Sequence, residues 1–132
     1  PHKKELSRLT GIPLPELEND LIKICEEFSR AYGAILAAKD ARTIVADSTD
    51  TVYINTSGNS GMSTGGSGDV LTGIIAGLAA MGMDLAGAVR LGVFIHGEAG
   101  DAAARRMGEY SMTSADILGA LPEALSSRRD FN

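Results

Sequence analysis

Four small residues, Gly65, Gly66, Ser67 and Gly68, precede a carboxylate at Asp69, and this is the segment of the sequence best suited to chemistry. Glycines have no side chains, so backbone N–H groups can converge on an anion, and the N-terminus of a following helix adds partial positive charge. Preorganised donors of this kind stabilise the charge that develops on a transferring phosphoryl group. We therefore predict an anion hole for phosphate at these four residues, called the glycine loop below.

Asp69 directly follows the glycine loop, although a carboxylate beside a phosphate is repelled by it. One interpretation is a general base, which takes the proton from a hydroxyl group as its oxygen attacks phosphorus. The other is an aspartate that only complements the helix dipole. The spacing alone favours neither interpretation.

Two better-known phosphate loops do not fit this segment. A Walker A loop has Lys followed by Ser or Thr after its last glycine, whereas Gly68 is followed by Asp69. A Rossmann fingerprint requires glycine or alanine where this chain has Leu71. His96 and Asp101 are too far apart on a predicted helix to share a face as metal ligands would, so no protein metal site is predicted.

The first part of the chain has the pattern of a helix followed by short strands. An amphipathic helix is predicted over residues 14–32, with Cys25 on its apolar side as a core residue. Strands are expected at 34–38, 42–46 and 51–55, with a polar turn between the last two.

The second part of the chain is predicted to be helical. Residues 56–67 are small and polar, as in a flexible linker, but they lead directly into a predicted helix over 69–81. Gly73 and Gly77 of this helix indicate close helix packing. Further helices are expected at 85–107 and at 113–125, the latter with Thr113 and Asp116 as a capping box, before a frayed tail at 126–132.

The composition and charge of the chain limit the partners and the location that we expect for it. The chain of 132 residues has a net charge of −5 and no cluster of Lys or Arg that would follow a phosphate backbone, so we expect no nucleic-acid partner. A membrane span needs about 18 consecutive apolar residues, and neither such a window nor a signal peptide is recognisable, so we expect no membrane contact and a cytoplasmic location. Because Pro1 is not an initiator residue, we expect a processed chain or a fragment.

Four segments carry a resemblance: Pro1-His2-Lys3-Lys4-Glu5, Asn59-Ser60-Gly61-Met62-Ser63-Thr64-Gly65-Gly66-Ser67-Gly68-Asp69-Val70-Leu71-Thr72-Gly73-Ile74-Ile75-Ala76-Gly77-Leu78, His96-Gly97-Glu98-Ala99-Gly100-Asp101 and Ser114-Ala115-Asp116-Ile117. Together they closely resemble the ADP/ATP-dependent NAD(P)H-hydrate dehydratases, a branch of the ribokinase-like superfamily. The resemblance implies an α/β fold, the ribokinase-like three-layer α/β/α sandwich. Residues 1–132 would be the C-terminal half of a single domain, whose N-terminal half is absent from this chain.

The resemblance also implies site residues. Asp69 matches the catalytic base at the substrate, and His2 matches a contact with the hydrated substrate. The glycine loop matches the anion hole, in which Gly68 also contacts the nucleotide. A second nucleotide-binding segment, between two strands, comprises Lys39, Asp40, Ala41, Arg42 and Thr43. Asp40 lies where the family more commonly has glycine.

The implied activity is metabolite repair, the conversion of NAD(P)H hydrate to NAD(P)H. ADP or ATP phosphorylates the hydroxyl of the hydrate, and loss of phosphate then restores the nicotinamide ring, leaving AMP when ADP is the donor. Mg²⁺ would accompany the nucleotide and would be bound mainly by phosphates and water. The family further implies a homo-oligomer, and we expect the present segment alone to be inactive.

Two other functions would use the same residues. A ribokinase-like kinase of a small alcohol or vitamin precursor would have the same anion hole and base but would release a stable phosphorylated alcohol. A non-catalytic adenine-nucleotide-binding module would retain the loop without needing Asp69. The sequence does not distinguish ADP from ATP as the donor.

Overall fold

A computed structural model of the chain describes residues 1–49 and 51–126. The chain divides into two compact units, one of Pro1–Asn55 and one that begins at Thr56. Each unit has its own cluster of buried apolar side chains. The helices in the described ranges are all too short or too polar to span a membrane.

The first unit combines three helices with a small antiparallel sheet. The helices are α1 (Lys3–Thr10), α2 (Leu14–Asn19) and α3 (Leu21–Tyr32). The strands are β1 (Leu36–Ala38), β2 (Ile44–Ala46) and β3 (Val52–Ile54), in the order β1-β2-β3. Helix α3 packs against β1 and β2, and the buried hydroxyl of Ser29 donates a hydrogen bond of 3.0 Å to the carbonyl oxygen of Ala46.

The strands of the first unit are confirmed, each shorter than predicted, and so is the polar turn after β2 over its described residues, 47–49. In that turn the backbone N–H of Thr49 donates to Oδ1 of Asp47 at 2.8 Å. Cys25 is fully buried, as predicted, and this burial raises the pKa of its thiol to about 11.

The helices of the first unit differ from the prediction. The single helix expected over residues 14–32 is wrong, because Asp20 has φ −126° and ψ 31° and separates α2 from α3. Helix α1 was not predicted. It begins after His2, which is not among the preferred N-cap residues, and it ends at Gly11 in the left-handed conformation.

The second unit is built around one long helix. Its elements are a short 3₁₀ helix (Ser60–Met62), α4 (Ser67–Ala80), α5 (Leu85–Met107), α6 (Ser114–Gly119) and α7 (Leu121–Ser126). Helices α4, α6 and α7 all pack against α5. The buried core between them combines the small side chains of Ala99, Ala102 and Ala103 on α5 with larger ones such as Met112 and Ile117.

The bounds of α5 confirm the prediction over 85–107, and α4 begins two residues before its predicted start. The helix expected over 113–125 is instead two helices, since Pro122 has no N–H to continue the first one. The capping box between Thr113 and Asp116 is confirmed, and its hydrogen bonds hold the pKa of Asp116 below its usual value. Residues 127–132 of the predicted tail lie outside the described residues.

The prediction of close packing at Gly73 and Gly77 is wrong for the part of the chain that the structure describes. Both residues are exposed on α4, and a methyl group added to either would meet no atom within 4 Å. Close approaches to another backbone segment occur instead at Gly61, against Glu109, and at Gly97 of α5, against Ser57.

Candidate active site

The glycine loop has the backbone conformation of an anion-binding turn. Gly66 has φ 85° and ψ −10°, in the left-handed region, and Ser67 begins the right-handed helix α4. Alternation of the two hands turns successive N–H groups toward the same side, as in the concave nests that bind anions. A side chain is excluded at Gly66 because its Cβ would lie 2.7 Å from Oγ of Ser114 in α6.

Three amides of the loop are free to bind a ligand. Within the described ranges, the N–H groups of Gly65, Gly66 and Gly68 have no hydrogen-bond acceptor. Gly65 is exposed, and a Cβ there would meet nothing within 4 Å. The N–H of Ser67, in contrast, donates to the carbonyl oxygen of Thr64 at 3.3 Å. The donors available to an anion are therefore the N–H groups of the three glycines, because the N–H of Ser67 is already bonded to Thr64.

Asp69 is in the first turn of α4, and its side chain is exposed. Its carboxylate makes no hydrogen bond or ion pair with any residue that the structure describes. It is thus neither turned into the core nor neutralised by a neighbouring cation. A substrate hydroxyl group can approach it beside the free amides of the loop.

Ser67 is attached to helix α5 by its side chain. The residue is only 8% exposed, and its Oγ lies 3.2 Å from Nε2 of His96. His96 is thus a hydrogen-bonding residue of the second unit. No sequence signal connected the two residues, which lie 29 positions apart.

The segment before the glycine loop is also bound to α5, so the flexible-linker interpretation is wrong. The carboxylate of Asp101 accepts hydrogen bonds from the N–H of Gly58 and from the side-chain amide of Asn59, both at 2.9 Å. Oδ1 of Asn59 in turn accepts from the N–H of Gly61 at 3.1 Å. Asp101 therefore fixes the start of the 3₁₀ helix.

Two glycines of α5 allow this segment to lie against the helix. A Cβ at Gly97 would be 2.1 Å from Oγ of Ser57, and one at Gly100 would be 2.2 Å from Sδ of Met62. The hydroxyl of Ser57 also donates to the carbonyl oxygen of Phe94 at 3.1 Å. The sequence from His96 to Asp101 is thus a surface for binding the loop.

In residues 1–49 and 51–126, no group of three His, Cys, Asp or Glu side chains is arranged to coordinate a metal ion.

In the first unit, His2 is an N-cap and not a frayed terminal residue. Its Nδ1 accepts a hydrogen bond from the N–H of Glu5 at 3.2 Å, and the Glu5 carboxylate accepts one from the N–H of His2 at 2.7 Å. The second bond holds the pKa of Glu5 below its usual value. His2 also forms a parallel β-bridge with Lys39, whose N–H donates to the carbonyl oxygen of Pro1 at 2.7 Å.

The 39–43 turn joins β1 to β2, as predicted for a segment between two strands. Its exposed residues are Asp40, Ala41 and Arg42. Oδ2 of Asp40 lies 2.7 Å from Nζ of Lys3, and this hydrogen-bonded ion pair raises the pKa of Lys3. The carbonyl oxygen of Thr43 accepts from the N–H of Asn55 at 2.9 Å. The structure thus brings His2 together with this turn, and the glycine loop together with Asp69 and His96.

The fold is that of the ribokinase-like proteins, and the predicted α/β class is confirmed. A ribokinase-like superfamily protein from Enterococcus faecalis superposes with a TM-score of 0.80 and 30% identity, over 96% of this chain and 43% of its own. The sequence profile of the NAD(P)H-hydrate dehydratase family matches residues 1–123. The chain belongs to this family.

Two relatives show how much of the family's length is present. The Bifunctional NAD(P)H-hydrate repair enzyme Nnr of Moorella thermoacetica is 46% identical over 125 residues, which are 95% of this chain and 24% of that protein. The ADP/ATP-dependent NAD(P)H-hydrate dehydratase of Bacillus subtilis, co-crystallised with ATP/Mg²⁺ and soaked with CoA, has a TM-score of 0.91 and 26% identity. The match covers 96% of this chain and 47% of that one. This chain therefore spans about a quarter of the first relative and about half of the second.

Proposed function

We propose that this chain carries the phosphate-binding and catalytic part of an enzyme that repairs NAD(P)H hydrate with ADP or ATP and Mg²⁺. The observation that carries the proposal is the combination of three free glycine amides with the exposed carboxylate of Asp69. The names of the two relatives supply the substrate and the nucleotide. Residues 1–132 would be the C-terminal half of a single ribokinase-like domain, in keeping with the 96% and 47% coverage.

The amides of Gly65, Gly66 and Gly68 would bind the terminal phosphate of the nucleotide. The positive end of α4 adds to their attraction, because unsatisfied N–H groups give a helix N-terminus partial positive charge. The left-handed conformation of Gly66 orients these donors before the nucleotide binds. Preorganised donors need no rearrangement as charge develops on the transferring phosphoryl group.

Asp69 would act as the general base. Its carboxylate takes the proton of the hydrate hydroxyl while that oxygen forms a bond to phosphorus and the bond to the leaving nucleotide breaks. Cleavage of the C–O bond then releases phosphate, and the neighbouring ring carbon loses a proton to water, so that a C=C bond forms and the reduced nicotinamide ring is restored. Mg²⁺ supplies positive charge to the phosphates, and the open loop suits an ion that retains water and phosphate ligands.

For the first unit we propose the roles that the family implies. His2 would contact the hydrate, and the nucleotide would be contacted by Lys39, Asp40, Ala41, Arg42 and Thr43. The bond between Lys39 and Pro1 and the β-bridge to His2 support a common site for these residues, because they fix the two segments next to each other. A homo-oligomer in the cytoplasm, without nucleic-acid or membrane partners, remains a prediction from the sequence and the family.

The test uses the complete protein that contains this segment, with NADPH hydrate, Mg²⁺ and either ADP or ATP. The absorbance of reduced nicotinamide should return with the wild type. Asp69→Asn should slow this recovery by about 10²–10⁴-fold, because general-base catalysis contributes factors of that size. Asp20→Asn, the same change at another exposed helix end, is the control and should leave the rate unchanged.

Other outcomes would favour other functions. An unimpaired Asp69→Asn variant would contradict the assignment of the base. A stable phosphorylated alcohol, formed without nicotinamide, would favour the kinase. Tight ADP binding that Asp69→Ala leaves unchanged, with no turnover, would favour the non-catalytic module.

A further inference from the structure

The glycine loop needs an anchor, because its three free donors all belong to glycines. Glycine has the largest conformational freedom of any residue, so a loop rich in glycine loses much entropy when its donors are fixed. Ser67 is the single residue of the loop with a side chain. Any side-chain contact that fixes the loop from within must therefore be made by Ser67.

The side chain of Ser67 contacts helix α5. Its Oγ lies 3.2 Å from Nε2 of His96, and the residue is only 8% exposed, so its hydroxyl is largely removed from water. A buried hydroxyl group requires a hydrogen-bond partner. His96 is between the buried residues Ile95 and Gly97, near the middle of the long helix α5.

Fixing Ser67 also fixes a donor. The N–H of Gly68 belongs to the peptide unit that begins at Ser67, so a rotation of the Ser67 backbone turns that N–H away from a bound phosphate. The N–H of Ser67 itself makes a long hydrogen bond of 3.3 Å to the carbonyl oxygen of Thr64, and the carbonyl oxygen of Gly66 accepts from the N–H groups of Asp69 and Val70. We propose that His96 is a positioning residue, which holds the glycine loop in its phosphate-binding conformation through Oγ of Ser67.

A second anchor of α5 makes this arrangement more than a single contact. The carboxylate of Asp101 accepts hydrogen bonds of 2.9 Å from the N–H of Gly58 and from the side-chain amide of Asn59. These two residues lie at the start of the segment that leads into the glycine loop. Helix α5 therefore contacts the segment both at its start and in the glycine loop. The inference rests on the proposed function, since it assigns His96 to the same phosphate site.

The experiment measures the binding of ATP and of AMP to the complete protein by calorimetry. His96→Ala should weaken ATP binding about tenfold or more, because small displacements of positioned groups have large effects. AMP lacks the terminal phosphates, so its affinity should be unchanged, whereas a general loss of structure would weaken both. Glu98→Ala, two residues along α5 and without a hydrogen bond to the loop, is the control.

Two further variants keep the test decisive if His96→Ala does not fold. His96→Gln retains a hydrogen-bonding group near the position of Nε2 and should restore most of the ATP affinity. Ser67→Ala should weaken ATP binding as His96→Ala does, and the double variant should be no weaker than either single one. Additive effects in this cycle, or equal losses for ATP and AMP, would overturn the inference.

The outcome is separable from that of the proposed function. If the wild type binds ATP but does not restore NADPH, the proposed function fails. The affinities of His96→Ala for ATP and AMP then still test whether His96 positions the loop. If the wild type restores NADPH and His96→Ala binds ATP normally, the proposed function stands and the positioning role is wrong. A wild type that binds neither ADP nor ATP overturns both.

Discussion

The glycine loop and the 39–43 turn are both predicted to bind the nucleotide, but they are constructed in opposite ways. The glycine loop offers backbone N–H groups, and its shape is set by contacts from other helices, with Ser114 against Gly66 and His96 against Ser67. The 39–43 turn offers exposed side chains, and one of them, Asp40, pairs with Lys3. The glycine loop therefore cannot accept a side chain at Gly66 without a shift, whereas a turn made of exposed side chains tolerates substitution.

The largest difference between the two loops is expected for Gly66→Ala. The substitution requires an alanine with φ 85° and a Cβ 2.7 Å from Oγ of Ser114, so the loop must move. We expect kcat/KM for the nucleotide to fall about 100-fold, the effect of a displacement near 1 Å, and the stability to fall by about 1–3 kcal/mol. Steady-state kinetics and thermal unfolding measure the two effects.

The control for this variant is Gly73→Ala. This residue is exposed within α4, and an added Cβ meets no atom within 4 Å. Alanine is a better helix former than glycine, so we expect unchanged kinetics and a gain of about 0.5–1 kcal/mol. Equal kinetics for Gly66→Ala and Gly73→Ala would contradict the view that the backbone conformation forms the site.

An intermediate effect is expected where α5 supports the loop. In Gly97→Ala the new Cβ would meet backbone as well as side chain, with the carbonyl carbon of Ser57 at 2.8 Å. In Gly100→Ala the three nearest atoms would all belong to the flexible side chain of Met62. We expect losses of stability within about 1–3 kcal/mol, larger for Gly97→Ala, as measured by urea unfolding. The reverse order would show that the loop does not lie rigidly on α5.

The smallest effect is expected for Asp40→Gly, which introduces the residue more common in the family. Removal of the ion pair with Lys3 should lower the stability by about 0.2–1 kcal/mol, as for other surface pairs. The pair raises the pKa of Lys3, so its contribution is complete below pH 10.5 and is lost as the pH rises through the raised value. Thermal unfolding of wild type and variant should therefore converge at alkaline pH. A large loss of nucleotide affinity would show that Asp40 shapes the turn for binding.

The elements that could be predicted from the sequence are those whose ends are marked by residues close to them in the chain. Helix α5 matches its prediction because both of its ends are marked, by Asp84, which accepts from Gly87 at 2.9 Å, and by Gly108, which closes the helix. Helix α1 escaped prediction because histidine is an uncommon cap. The break at Asp20 has no glycine or proline to mark it, and it falls within a continuous apolar pattern.

The sequence by itself determined the candidate phosphate loop, the carboxylate that follows it and the family, because these depend on residues adjacent in the chain. Only the tertiary structure decided that His96 contacts Ser67 and that Asp101 binds Asn59, across separations of 29 and 42 residues. Such contacts depend on how α5 packs against the segment that precedes α4. A local pattern carries no information about that packing, since many arrangements of the same helices bury the same apolar faces.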